Sequence, residues 1–167
     1  PWESRKRTCC DLAILPQPIV AAIALLTSAA TTQQLRTLTG VVDLIPDPFL
    51  HGAGLHVTDP GGELGCHLDG ALLPRAPWLE RRVNLIIYLN AATGGELQFH
   101  DDEGRAVLAK IQPRANAGAV WECSDLAYHS VARLEGKTPR ASIAIFYCGP
   151  ARHGVTRKRA LWVPQRS

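Results

Sequence analysis

The sequence predicts a mainly β domain, a sandwich or jelly roll, with a supporting layer of N-terminal helices. The chain has 167 residues, of which 46% are hydrophobic and 20% charged, which suits one globular domain with a sizeable core. Residues 16–40 have the spacing of two helices in series. After Val41, short runs rich in Val, Ile, Leu, Phe and Tyr alternate with Gly, Pro, Asn and Asp turns.

The helical layer has recognisable ends. Pro16 and Pro18 lie in the opening turn of an apolar run that stops near Ser28, which predicts a first helix. Residues 31–40 begin with a capping threonine and end with Gly40, which predicts a second helix. No window holds eighteen consecutive apolar residues, so we expect no conventional membrane span.

Eight short strands follow the helices. The runs that predict them are 54–58, 63–68, 82–89, 96–100, 106–111, 119–123, 129–131 and 141–148. The longest connection, 69–81, contains Pro74 and Pro77, which predicts a loop that covers the site. No internal repeat or domain boundary is visible, so we expect residues 1–167 to form one domain.

The charge distribution argues against nucleic acid as a partner, and the cysteines favour a reducing compartment. The net charge is +3, but residues 150–167 hold five basic and no acidic side chains, and residues 11–149 sum to −4, from ten basic and fourteen acidic residues. Because only the ends are basic and lack interleaved aromatic residues, nucleic acid is not the expected partner. Five cysteines without a CxxC pair favour buried, reduced thiols and a cytoplasmic or other reducing compartment.

A metal site is predicted from two histidines and a carboxylate. His67 and Asp69 flank one residue at the end of a predicted strand, where a period of two puts both side chains on one face. His129 opens another predicted strand. Two imidazoles and one carboxylate on one side of an iron leave about three positions open, which can take a bidentate 2-oxo acid and dioxygen.

The sequence also contains a rival H-x-D pattern. His100 is followed by Asp101 and Asp102, and the chain then runs into Glu103 and Gly104. This segment has the composition of a solvated hairpin turn. The sequence therefore favours His67 over His100 as a metal ligand.

An anion site is predicted on the last long strand. Arg140 and Ser142 share one face, so a guanidinium and a hydroxyl can converge on one carboxylate. An arginine that opens an apolar core strand is costly to bury without such an anion. The alternative is an arginine at the strand end that is paired with a protein acid or solvated.

Five motifs in order resemble the 2-oxoglutarate- and iron(II)-dependent oxygenases, and within them the prolyl 4-hydroxylase branch, which includes the hypoxia-sensing prolyl hydroxylases. The motifs are GLHVTDPGGELGCHLD at 54–69, RRVNLIIYLN at 81–90, GGEL at 94–97, YHSV at 128–131 and RAS at 140–142. The resemblance covers roughly residues 39–148, leaving basic flanks at both ends. It implies a double-stranded β-helix, the jelly roll of this superfamily.

The resemblance assigns roles to individual residues. It makes His67, Asp69 and His129 the iron ligands and Arg140 the partner of the distal 2-oxoglutarate carboxylate, with Ser142 as a further candidate. Tyr88 matches a tyrosine that touches the same carboxylate, although it can also be an ordinary core aromatic.

Several other residues are candidates for the pocket wall or for substrate contact. Asn84 and Ile86 share the strand face of Tyr88 and should line the pocket. Phe146 stands where the hypoxia-sensing branch has a tryptophan, and His56, Thr58 and Asp59 occupy the region of a usual tyrosine. Trp78 and Arg81 lie in or beside the predicted loop and are substrate-contact candidates; the alternative is a packed tryptophan and a solvated arginine.

The implied activity is hydroxylation of a C–H bond, with 2-oxoglutarate and O2 converted to succinate and CO2 and ascorbate as a reductant. Because Asp69 is present, a halide has no vacated ligand position, and no side chain beyond the metal centre need act as a catalyst. The favoured substrate is a peptidyl proline or another amino-acid residue. The alternatives are a small-molecule biosynthetic hydroxylase and a non-catalytic metal-binding or sensing module.

Overall fold

The computed structural model describes residues 2–164. Its elements, in chain order, are β1 (Glu3–Cys9), α1 (Gln17–Leu26), α2 (Ala29–Thr39), β2 (Ile45–Pro46), β3 (Gly54–Leu68), β4 (Leu72–Leu73), β5 (Ala76–Tyr88), β6 (Leu97–His100), β7 (Val107–Ile111), β8 (Gly118–Glu122), β9 (His129–Val131), β10 (Arg140–Pro150) and β11 (Leu161–Trp162). The predicted jelly roll with N-terminal helices is confirmed.

The strands form one antiparallel sheet in the order β4-β5-β10-β3-β9-β6-β7. Four further strands join it at the sides: β1 and β11 pair with β3, β2 pairs with β10, and β8 pairs with β5. Side chains from β3, β5, β6, β8, β9 and β10 line a single cavity, so the sheet is rolled around it. This rolling brings residues that are far apart in sequence onto one inner surface.

The two helices cover the outside of the roll. Ile23 and Leu35 are buried against a core cluster of aliphatic residues and one tyrosine from the loop before β2, β5 and β10: Leu44, Val83, Leu85, Ile143, Ile145 and Tyr147. Ser28, not the predicted Thr31, caps α2, since its Oγ accepts a hydrogen bond from the Thr31 main-chain N–H (3.2 Å). Over residues 2–164 no single helix has the length and apolarity to cross a membrane; α1 and α2 meet that test only as a pair bent by 47°.

β3 is one long strand where the sequence predicts two. The Asp59-Pro60-Gly61-Gly62 segment has turn composition, but the chain does not reverse there. β1 pairs with β3 on both sides of it, with a register shift between Ser4 and Lys6. Because β1 holds the two halves in line, the turn residues form an irregularity inside the strand.

The prediction of a covering loop at 69–81 is also wrong. Residues 72–88 form a β-hairpin in which Leu73 pairs with Ala76 and Leu72 with Glu80. Pro77 is tolerated because it lies exposed near the start of β5, beside a partner strand of only two residues. Trp78 is therefore a strand residue, and 67% of its surface is exposed.

Candidate metal and cosubstrate site

His67, Asp69 and His129 are brought together by strand pairing. β3 ends one residue before Asp69, and β9 begins at His129. His67 and His129 are direct partners in the β3–β9 register, so their imidazoles lie side by side, with ring centroids 4.3 Å apart. Among residues 2–164 these three form the one group of three or more His, Cys, Asp or Glu side chains placed to hold a metal, with ligand atoms within 4.8 Å of one another.

The main chain fixes both rings in a ligating orientation. Nδ1 of His67 lies 2.9 Å from the carbonyl oxygen of Gly65, and Nδ1 of His129 lies 2.9 Å from that of Ala127. Each Nδ1–H can donate to its carbonyl, which leaves Nε2 with a free lone pair. The Nε2 atoms of His67 and His129 are 3.7 and 3.6 Å from the Asp69 carboxylate, which leaves room for an ion between them.

The pKa shifts of Asp69 and His129 also suit metal binding. Burial alone would raise the pKa of the Asp69 carboxyl, but the charges of His129, His67 and Arg81 outweigh it and hold that pKa well below its usual range. Burial also lowers the pKa of His129. Oδ2 of Asp69 is buried and has no hydrogen-bond partner within the described chain. A carboxylate with an unsatisfied oxygen and two imidazoles are a donor set that fits Fe(II).

A second group of polar side chains lies deeper in the roll. Arg140 is 3% exposed, and its guanidinium carbon lies 4.8 Å from the centre of the Tyr88 ring. Its Nη2 donates to the Tyr88 hydroxyl at 3.4 Å. Ser142 pairs with Tyr88 on one side and with His56 on the other.

Three polar atoms of this deeper group lack a hydrogen-bond partner in the described chain. Nε of Arg140, Oγ of Ser142 and Nε2 of His56 are all buried without a hydrogen bond to any residue between 2 and 164. Burial, with the nearby charges of Lys6 and Arg140, lowers the pKa of His56 to about 3, so its imidazole is neutral. Unsatisfied buried polar groups are costly, so the group fits a carboxylate-bearing ligand.

His67, Asp69, His129 and Arg140 line one cavity of about 660 Å³. Asn84, Ile86, Phe146 and Arg81 belong to its lining. Trp78 does not: it lies on β5 with its ring turned to solvent, because the segment that holds it is a hairpin rather than an overhanging loop.

The sequence interpretation missed a wall made by the C-terminal residues. Residues 151–162, here called the C-terminal strap, cross the mouth of the cavity, and Lys158, Arg159, Ala160 and Trp162 line it. The Trp162 ring stacks on His67 with centroids 4.6 Å apart. The tryptophan at the end of the basic run was the signal that could have connected the strap with the site.

The rival H-x-D histidine lies elsewhere. Nε2 of His100 is 2.8 Å from Oγ of Ser130, which in turn donates to Gln98. His100 is not among the residues that line the metal cavity. The two H-x-D patterns therefore lie in different places in the structure.

Comparison with protein families shows which family this chain belongs to. The sequence matches the 2OG-Fe(II) oxygenase superfamily over residues 53–148, which is more than half of the chain. The chain belongs to this superfamily. The match contains the two histidines, the aspartate and the arginine described above, and membership implies Fe(II) and 2-oxoglutarate as the cofactor and cosubstrate of the oxygenase.

Solved structures share the fold of this oxygenase. A 2OG-Fe(II) oxygenase family oxidoreductase from Burkholderia pseudomallei is 22% identical with a TM-score of 0.59, over 83% of this chain and 60% of that one. A viral collagen prolyl hydroxylase from Paramecium Bursaria Chlorella virus-1, in complex with 2OG, is 14% identical with a TM-score of 0.58, over 86% of this chain and 77% of that one.

A prolyl hydroxylase from Trichoplax adhaerens, in complex with a hypoxia inducible factor peptide fragment, is 18% identical with a TM-score of 0.53, over 75% of this chain and 56% of that one. The prolyl hydroxylases among these structures agree with the resemblance to that branch. The oxygenase spans 60% of the length of the Burkholderia protein. No curated protein matches the sequence.

Proposed function

We propose that this oxygenase hydroxylates a C–H bond of a peptidyl proline or another amino-acid residue, with release of succinate and CO2. The observation that carries the proposal is the juxtaposition, in one cavity, of a His67–Asp69–His129 donor set and a buried arginine without an acidic partner in the described chain. The first suits an iron and the second suits the distal carboxylate of the cosubstrate. Bound Fe(II), 2-oxoglutarate and O2 would supply the oxidising chemistry.

The residues of the chain have binding and orienting roles in this proposal. His67, Asp69 and His129 would hold the iron on one side and leave the other open to the cosubstrate. Arg140 would donate to the distal carboxylate, assisted by the Tyr88 hydroxyl, to which it already donates. The Trp162 ring over His67 would exclude water from that side of the metal. No side chain is required as a general base.

The cosubstrate role of Arg140 has a direct test. Arg140→Gln removes the charge but keeps a polar side chain, so we expect the KM for 2-oxoglutarate to rise about a hundredfold, the equivalent of roughly 3 kcal/mol for one buried charged partner. Iron binding should be unchanged, because Arg140 is not among the three metal-binding side chains. A rise of less than threefold, or equal loss of iron and 2-oxoglutarate binding, would contradict the assignment.

The peptide substrate class is supported by the fold shared with prolyl hydroxylases, one of which binds a peptide. Its test is incubation of the iron-loaded protein with 2-oxoglutarate, O2, ascorbate and a library of proline-containing peptides. We expect succinate release and a product heavier by one oxygen. Succinate release without a modified peptide would refute a peptide substrate, and no succinate at all would favour the non-catalytic module.

A small-molecule hydroxylase is the second candidate. The observation that favours it is that residues from both ends of the chain, among them Lys6 and Trp162, line the cavity and narrow its mouth. Free amino acids included in the same incubation distinguish the two candidates, since oxygen would then appear in a free amino acid and not in a peptide.

A further inference from the structure

A β-bulge turns Arg81 into the cavity. In the β5–β10 pairing, Val83 is opposite Tyr147 and Arg81 is opposite Cys148, so Arg82 is an extra residue. The bulge reverses the alternation of side chains along β5, and Arg81, not Arg82, lines the cavity. Bulges beside active sites commonly re-aim a side chain in this way.

Arg81 is a buried cation whose hydrogen bonds go only to neutral groups. It is 8% exposed. Its Nη1 donates to the Gly70 carbonyl (3.0 Å) and its Nη2 to the His51 carbonyl (2.7 Å), while its guanidinium lies 4.1 Å from the centre of the Phe146 ring. Its Nε has no partner, and Arg81 forms no salt bridge with residues 2–164. A buried guanidinium without a negatively charged partner is stabilised by an anion, which here would come from outside the chain.

The C-terminal strap brings two more cations to the same cavity. Arg157 fastens the strap beside the metal centre, with its Nε donating to the Asp69 carbonyl at 2.8 Å and its own carbonyl accepting from Ala71 and Leu72. Lys158 and Arg159 follow and line the cavity with exposed side chains. Neither forms a salt bridge within the described part of the chain.

Protein acids that line the cavity form no ion pair with these three cations in the described part of the chain. Glu3 pairs with Lys6 at 3.0 Å. Asp69 belongs to the metal-binding set. Glu63 is the β-partner of Ser4 and forms no salt bridge with any residue from 2 to 164. Positive charge therefore remains in excess around Arg81.

The cosubstrate does not supply the missing anion either. Its distal carboxylate is assigned to Arg140 and Tyr88. On β5, Arg81 lies seven residues before Tyr88, which corresponds to roughly 20 Å at the usual rise of a strand. One five-carbon diacid cannot serve both arginines while it also chelates the metal.

We propose that Arg81, Lys158 and Arg159 form an anion subsite that selects a substrate with a carboxylate close to the hydroxylated carbon. The inference rests on the proposed hydroxylase function and specifies its substrate class. The Arg81 guanidinium would bind the carboxylate through its free N–H groups, and the two strap cations would attract it to the mouth of the cavity. The carboxylate can be an acidic side chain or a free C-terminal carboxylate.

The experiment compares acids with their neutral isosteres on the anaerobic protein loaded with Fe(II) and 2-oxoglutarate, by calorimetric titration. One arm uses the twenty N-acetyl amino acids, each as the free acid and as the primary amide. The other uses acetyl-Gly-Pro-Glu-Gly-amide against the same peptide with Gln. We expect the carboxylate form to bind about tenfold more tightly in at least one arm, which also identifies the source of the carboxylate.

Variants test the residues. Arg81→Gln should reduce the preference for the acid to within about threefold. Because Arg81 also holds two main-chain carbonyls, the exposed pair Lys158→Gln/Arg159→Gln provides a second variant that should weaken the same preference without loss of fold. Lys110→Gln, on the exposed strand β7, removes an equal charge outside the cavity and should leave the preference unchanged.

Three results would overturn the subsite: equal binding of acids and amides, no binding of any probe, or a preference that survives in Arg81→Gln. Failure of the proposed function is recognised separately. In that case the wild-type protein would not bind Fe(II) and 2-oxoglutarate together, which the absorbance of the loaded sample shows before any probe is added.

Discussion

At the scale of single residues, the site depends on buried polar side chains, several of which bond to the main chain or have no partner in the described chain. His67 and His129 are each oriented by a carbonyl two residues earlier in the chain, a local contact that a strand provides at no cost in chain entropy. His56 is different, since its Nε2 has no partner in residues 2–164 and its imidazole is 8% exposed. It is neutral because burial disfavours its charged form.

The pKa of about 3 for His56 predicts a pH-dependent stability. Between pH 6.5 and 3 the unfolded chain binds a proton that the folded His56 does not, so this residue's contribution to stability is complete above pH 6.5 and is lost as the pH falls. From pH 7.5 to 5 it should cost about 2 kcal/mol of unfolding free energy.

Urea unfolding at the two pH values measures this loss. His56→Asn should show a smaller loss than the wild type, while His153→Asn, at an exposed position, should show the wild-type loss. An unchanged loss in His56→Asn would mean that His56 is already protonated in the fold.

At the scale of elements, β3 organises the site, because it carries His56, His67 and the approach to Asp69 and pairs with β1, β9, β10 and β11. Its first residue, Gly54, has φ +93°, and a Cβ placed there would lie 2.3 Å from the Cys9 carbonyl oxygen of β1. The close approach of β1 to β3 therefore requires glycine at this position.

Gly54→Ala tests this requirement against Gly40→Ala. Gly40 also has a positive φ, +73°, but nothing lies within 4 Å of its Cβ position. We expect a loss of about 1 kcal/mol for Gly40→Ala, from backbone strain, and about 3 kcal/mol for Gly54→Ala, where strain and a main-chain clash combine. Thermal and urea unfolding measure both losses, and equal values would show that β1 moves away freely.

Strands could be predicted from the sequence where a run of residues has a strand pattern of its own. The strand 129–131 has the predicted bounds, and β10 contains the predicted 141–148. Both runs are bounded by residues that are typical of turns. β1 and β11 were missed, since their exposed, basic or very short sequences have no strand pattern of their own and are strands only through β3. The turn composition at 59–62 and the prolines of 69–81 were misleading because tertiary pairing outweighs local propensity.

At the scale of the whole molecule, the C-terminal strap packs across the rolled sheet and forms one wall of the cavity. Glu80 is 2% exposed and accepts hydrogen bonds from the Arg152 main chain (3.0 Å) and from its guanidinium (3.1 and 3.2 Å). The basic end of the chain is thereby tied to β5. The +3 net charge thus has a structural meaning at this end: Lys158 and Arg159 line the cavity, while Arg152 pairs with Glu80 and Arg157 donates to the Asp69 carbonyl.

Arg152→Met should release the strap, because it leaves the Glu80 carboxylate buried with a single main-chain donor. We expect a loss of about 2 kcal/mol of unfolding free energy and faster tryptic cleavage after Arg157, Lys158 or Arg159. Arg105→Met, which removes an ion pair between exposed side chains with Glu103, should cost less than about 0.5 kcal/mol and leave the cleavage rate unchanged. Equal behaviour of the two variants would show that the strap is held by other contacts.

The site was largely predictable and the substrate was not, for a physical reason. Strand periodicity places His67 and Asp69 on one face, and the resemblance to the oxygenases adds His129 and Arg140 to the same site. Arg81 points into the cavity because of a bulge, which the sequence does not mark, and the strap cations reach it only through tertiary contacts. The residues that select the substrate are therefore those that depend on the completed fold.

The central claim, an iron and 2-oxoglutarate site at His67, Asp69 and His129, is tested most directly by anaerobic absorbance titration. Fe(II) with 2-oxoglutarate added to the wild-type protein should produce a weak visible charge-transfer band that is absent with Fe(II) alone. The band should be lost in His67→Ala and kept in His100→Ala, whose imidazole faces Ser130 instead. A wild-type protein without the band, or a band that survives in His67→Ala and disappears in His100→Ala, would contradict the account.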